Sequence, residues 1–216
     1  ETEGWPVALA LFGRHMVDRH LDVETMLGEL PDTRSEIFAY LSDRVISAMP
    51  DHVQEFIADC ACLETWDPAA CAEVTGLTIP EVEMVLSAVS GYGLLCIDLG
   101  AQQHRLHHLV RDQLMAIAPP PRLRAAHGRA ARYYRRIEQY ESAARHSLAA
   151  GDHPSAARDL EQLAPALLES GRHRILTALL PSIDASEVDS RPGLLLAYSR
   201  ALRLLSRFDE SSQVAR

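Results

Sequence analysis

Apolar residues recur at the three-and-four spacing of a helix face along most of this chain, and one short apolar run reads as a strand. Val7, Leu11 and Met16, with Leu9 and Phe12 beside them, predict a helix over 6–19 with Pro6 in its first turn. Helices over 21–30 and 34–49 come next, the second carrying Ile37, Leu41, Val45 and Met49. Pro31-Asp32-Thr33 is the turn and cap between them. Residues 51–63 predict a helix with Val53, Phe56, Ile57 and Cys60 on one face. Asp67-Pro68 opens a short helix that Gly76 ends, and Thr78-Ile79-Pro80 opens a third bearing Val82, Val85, Leu86 and Val89. Gly91-Tyr92-Gly93 breaks that helix. Leu94 to Leu99 is strand-like, residues 100–103 turn, His104 to His107 returns, and 109–117 is a last helix. Three helices and then a hairpin is the order of a winged helix-turn-helix.

Pro119-Pro120-Pro121 predicts a stiff link to the C-terminal part of the chain. Beyond it the chain reads as helical to its end, and it repeats. Gly151, Gly171 and Ser206 each sit at a turn that precedes a helix. The last two are 35 residues apart, near the ~34-residue period of tetratricopeptide repeats, while the first two are 20 apart. The expected fold class is therefore all-α with a small β wing: a helical segment over 1–43, a winged helix over 44–118 and an irregular tetratricopeptide-like array over 119–216. Such repeats bury their faces only by stacking. The first residues read as entering in mid-domain, and the last ones as stopping just inside a repeat.

Charge changes the picture most. The formal net charge is −9, and the chain has no lysine, so every basic residue is arginine. Between Val45 and His104 there is no Lys or Arg at all. The same stretch holds Asp51, Glu55, Asp59, Glu64, Asp67, Glu73, Glu81, Glu83 and Asp98. A winged helix raises DNA binding first, yet gripping duplex DNA requires cations against phosphates. The would-be recognition helix, Pro80 to Ser90, carries two acids and no cation. It reads as a packing or switching module, with no direct DNA contact. The arginine run Arg122, Arg124, Arg129, Arg132, Arg135 and Arg136 contains no acid. Its stripe of Arg129, Arg132 and Arg136 is better matched to the neighbouring acidic block than to nucleic acid.

Other chemistry is sparse. No apolar run reaches the ~18 residues of a membrane span, and no basic, apolar leader is present. A soluble, cytoplasmic chain is expected, with its cysteines (Cys60, Cys62, Cys71, Cys96) as buried reduced thiols. A zinc site drawing on His104, His107 or His108 lacks the paired cysteine spacing. There is no G-x-S-x-G, no H-E-x-x-H and, without lysine, no Walker-type phosphate loop, so no active site is expected. The sharpest local signal is "HRLHHLVRDQL", His104 to Leu114. A histidine entering a helix there can face a phosphate at the helix N-terminus, or simply cap the helix. "EGWPVALAL", Glu3 to Leu11, forms a rigid apolar corner on which a base could stack, or ordinary core.

In this order and spacing the motifs resemble the large ATP-binding LuxR-family regulators, relatives of the maltose-regulon activator within the STAND class. "TEGWPVALAL" looks like the Gly-x-Pro segment closing their nucleotide-binding core. The stretch "FAYLSDRVISAMPDHVQEFIADCACLETWDPAACAEVTG" is similar to the start of their winged helix. "HRLHHLVRDQL" is similar to a "YRYHHLFADLL" segment, and "AARYYRRIEQYESAARHSLAAGDHPSAARDLE" to the start of their sensor array. The resemblance implies an ATP-dependent transcriptional activator. In its resting form ADP lies between an upstream nucleotide-binding domain and the winged helix. An inducer or regulatory protein on the array, with ATP, opens the protein to self-association. Residues 1–43 would end the nucleotide-binding module, Pro6 would lie against adenine, and His107 would approach the β-phosphate. His108 stands where relatives have Asp. The phosphate loop, the Mg²⁺ carboxylates and the DNA-binding domain are not in this sequence. The chain itself is therefore expected to hold no cofactor and to be no enzyme, with ATP or ADP bound by the parent protein. The competing reading is a protein-interaction adaptor built on the repeats, with no nucleotide switch.

Overall fold

The computed structural model describes residues 46–91, 96–100 and 102–214. Pro6 and the helices expected over 6–19 and 21–30 lie outside these residues. The chain forms two compact units, residues 1–123 and 124–216. The boundary thus falls inside a helix and not at the proline run.

The first unit contains α1 (Asp51–Cys60), α2 (Pro68–Thr75), α3 (Ile79–Gly91), β1 (Cys96–Gly100), β2 (Gln103–Leu106) and α4 (His108–Ile117). Local chemistry sets the ends. The Asp67 carboxylate accepts the Ala70 N–H at 2.8 Å to cap α2, with Pro68 in the first turn, and Gly76 closes it at φ 81°. Glu81 reaches back to Thr78, accepting its N–H at 2.8 Å and its hydroxyl at 2.6 Å. These two bonds hold the Glu81 carboxyl below its usual range, the hydroxyl contributing more.

β1 and β2 pair antiparallel, with Ile97 opposite Arg105 and Asp98 opposite His104. Trp66 extends this wing. It donates its backbone N–H to the His104 carbonyl at 2.7 Å and accepts the His104 N–H at 2.9 Å. Ile57, Leu63, Trp66, Val74, Val82 and Leu106 are buried in the core beneath. The expected stiff link is instead the start of α5 (Pro120–Arg136). Proline's fixed φ suits a first helical turn, where its missing N–H is not needed.

The second unit continues from α5 into α6 (Tyr140–Ala150), α7 (His153–Glu169), α8 (Arg174–Leu179), α9 (Ala185–Asp189), α10 (Pro192–Leu204) and α11 (Phe208–Val214). The small residues read as turns do turn the chain: Gly151, Gly171 and Ser206 have φ of 78°, 74° and 60°. Glu138 takes φ 60° between α5 and α6, where no small residue marks the turn. Alanines Ala144, Ala156 and Ala157 share one buried cluster with Leu160, Leu167 and Leu176, and such small side chains let α6 and α7 approach closely. Within that packing Asp159, 1% exposed, receives a two-pronged guanidinium. Arg135 Nε donates to Oδ1 and Nη2 to Oδ2, both at 2.6 Å, and Nη2 also donates to the Ser147 hydroxyl at 3.1 Å. Nearby, the Nδ1 atoms of His127 and His146 share a hydrogen bond of 2.8 Å, one donating and the other accepting, and Tyr134 stacks on His146.

Four outcomes are expected. Asp159→Ala leaves the Arg135 charge without its carboxylate and is expected to cost about 3 kcal/mol in urea unfolding followed by circular dichroism. A loss within error would mean that the pair is not formed in solution. An added Cβ at Gly151 meets nothing within 4 Å, so Gly151→Ala costs only backbone strain, about 1 kcal/mol. Ser206→Gly should move stability the other way. Cys60, Cys62 and Cys71 are buried thiols. Burial first, and then hydrogen bonding to Cys71, pushes the Cys60 thiol well above its ordinary pKa. An aromatic disulfide reagent at pH ~8 should leave these three thiols unmodified in the native chain and titrate them in denaturant.

Candidate regulatory site on the winged helix

The site is built where the wing returns to the body. Arg111 donates its backbone N–H to the His107 carbonyl at 3.0 Å. That bond makes His107 the residue that opens α4, with His108 first inside it. The two rings stack at 4.6 Å between centroids and 27° between planes. His107 is 3% exposed and His108 is exposed. Of the sequence-predicted contacts, then, His107 stands at a helix N-terminus with its ring turned inward. His108 is the imidazole that solvent reaches there. Pro6 lies outside the described residues.

The other end of the site is the C-terminal end of α1, which has no basic residue in its last turn. Distant arginines supply the positive ends. Arg111 Nε donates to the Ala61 carbonyl at 3.0 Å. Arg122 Nε donates to Asp59 Oδ1 at 2.7 Å, and its Nη2 to the Glu55 carbonyl at 3.2 Å. The Trp66 indole N–H donates to the Cys60 carbonyl at 2.7 Å, and the ring meets Phe56 edge-on at 5.6 Å. Donors from three segments thus close one helix end. The Asp59 carboxylate, by hydrogen bond and charge, raises the Arg122 guanidinium further above its already high range.

The arginine run is therefore divided by use. Arg122 serves Asp59 in the first unit, and Arg135 serves Asp159 in the second. Sequence reasoning had no signal for Arg111, because its acceptor is a backbone carbonyl 50 residues away.

α3 completes the picture. Its surface carries Glu81, Glu83 and the exposed Ile79 and Met84, with no cation along the helix. Met84 was findable, as an apolar residue outside the Val82–Val85–Leu86–Val89 stripe. No helix among the described residues is long and apolar enough to cross a membrane.

Comparison with known proteins places this geometry. Serine/threonine-protein kinases PknK of Mycobacterium tuberculosis (strains CDC 1551 / Oshkosh and ATCC 25618 / H37Rv) are 27% identical over 210 residues. PknK of Mycobacterium bovis is similar to the same degree. Each match covers 95% of this chain and 19% of the relative, so the chain spans about a fifth of the length of these proteins. Residues 42–125 match the family model of the MalT winged helix domain, and the observed helices with their two-stranded wing have that architecture, followed by helical repeats.

Proposed function

We propose that this chain is the regulatory and sensor part of an ATP-dependent transcriptional activator of the MalT type. The winged helix gates the nucleotide state of an upstream nucleotide-binding domain, and the helical array receives an inducer or a regulatory protein. The observation that carries this reading is a winged helix whose recognition helix holds Glu81 and Glu83 and no cation. Such a surface repels phosphates, so the unit serves as an internal gate. The match of residues 42–125 to the MalT winged helix supports the same reading.

In the parent protein, Pro6 would lie against adenine. The corner where β2 enters α4 would face the β-phosphate, with the N–H groups at the α4 N-terminus as anion donors. Since the His107 ring is buried, its approach to phosphate requires that corner to open. The chain by itself is then a binding and switching piece without catalysis. ATP or ADP, self-association and the catalytic loop belong to the parent protein in its cytoplasmic setting.

A second reading is favoured by the similarity to PknK across 95% of the chain. There the same module would regulate a serine/threonine kinase carried on one polypeptide.

The test has two arms. The isolated chain should not retard a duplex of ~30 base pairs at ~150 mM salt. In the parent protein, His107→Ala should weaken ADP retention about tenfold, the scale of a charge-assisted hydrogen bond. Retardation of duplex, or unchanged ADP affinity in the variant, would overturn the gate.

A further inference from the structure

Between α1 and α3 runs an open groove of about 410 Å³. Phe56 and Val85 form its floor, Leu77 and Met84 its apolar lip, and Glu55 and Glu81 stand on its edge. Met84 is 67% exposed, and Ile79, on the same helix, is 48% exposed. Large apolar side chains presented this openly beside a concave floor mark a contact surface. Methionine at a lip suits it, because the unbranched thioether repacks around different shapes.

Charge says what kind of surface would fit. The segment that builds both walls has no Lys or Arg from Val45 to His104 and nine acidic residues. The edge also shows how a cation is received. Arg122 already lays its guanidinium on Asp59, a lining residue of the groove, and on the Glu55 carbonyl. That pair combines a carboxylate with a helix carbonyl, a bidentate arrangement that suits a guanidinium better than an ammonium.

We infer that the α1–α3 groove is a docking site for an arginine-bearing amphipathic helix of a partner protein. Its apolar residues, spaced i, i+3 and i+7, would enter between Phe56, Leu77 and Met84. Its arginines would meet the acidic edge. In this winged helix the surface that would read DNA elsewhere reads a protein. The inference goes beyond the gating proposal and stands whether or not the unit controls a nucleotide.

The probe is a fluorescein-labelled synthetic peptide of ~18 residues with leucines at i, i+3 and i+7 flanked by arginines. Its anisotropy is followed on titration with the full 216-residue chain. Controls are a scrambled peptide of the same composition and one with glutamate in place of arginine. The amphipathic peptide should bind, with affinity falling as salt rises, and both controls should bind at least about tenfold more weakly. Met84→Asp should cost about tenfold, and Glu55→Gln a smaller factor with a shallower salt dependence. Met84→Ala provides a milder variant if Met84→Asp loses its helical circular dichroism. Equal binding of the scrambled peptide would reduce the effect to net charge and overturn the site. So would indifference to every groove variant. Light scattering that finds a dimer abolished by Met84→Asp, with no peptide binding, would overturn it in favour of a second copy of the chain.

Discussion

The Cys60 and Ala61 carbonyls, on buried residues at the end of α1, must be given donors, and the winged helix is assembled around that requirement. An α-helix leaves four such groups at its C-terminus, and α1 carries no basic residue in its own last turn. The Trp66 indole N–H joins the Leu63 N–H on the Cys60 carbonyl, Arg111 donates to Ala61, and at the exposed edge Arg122 lies on Asp59 and the Glu55 carbonyl. Each draws in a different piece of chain. Trp66 brings the wing, because its backbone pairs with His104. Arg111 brings α4, and Arg122 brings the first turn of α5. A buried carbonyl short of a donor is costly, so the wing and α4 are held against α1, and the Arg122–Asp59 ion pair adds the start of α5.

The same constraint explains what the unit does with its charges. Its two described cations near α1 are turned onto the helix end and Asp59, and β2 contributes Arg105 on an exposed strand. α3 is left with an acidic and apolar surface. A fold best known for holding DNA has here lost the electrostatic term that makes such holding work. What remains is suited to protein contact: a concave floor, a flexible lip and carboxylates at the edge.

The second unit solves its packing differently. Alanines at the α6–α7 contact admit a close approach, and Asp159 is buried there with Arg135 and Ser147 around it. A buried ion pair adds little stability over a well-packed apolar contact. It does penalise every register of α5 against α7 that separates the charges. In an array whose helices vary in length, from the 17 residues of α7 to the 5 of α9, that penalty selects the register.

The sequence alone determined the order of elements in the winged helix, the caps at Asp67, Gly76 and Thr78, the turns at Gly151, Gly171 and Ser206, and the absence of cations on α3. Each of these is a local matter. A cap acts over three residues, a glycine's φ is its own property, and charge along a helix can be counted directly. The fate of Pro119-Pro120-Pro121 was less legible, because proline serves a rigid link and a first helical turn equally well. Tertiary structure decided the rest. It paired Arg135 with Asp159 across 24 residues and Arg122 with Asp59 across 63. It also turned the His107 ring inward, and it made a groove of side chains from helices α1 and α3. No spacing rule reaches these outcomes, because each depends on which surfaces meet once the chain has folded.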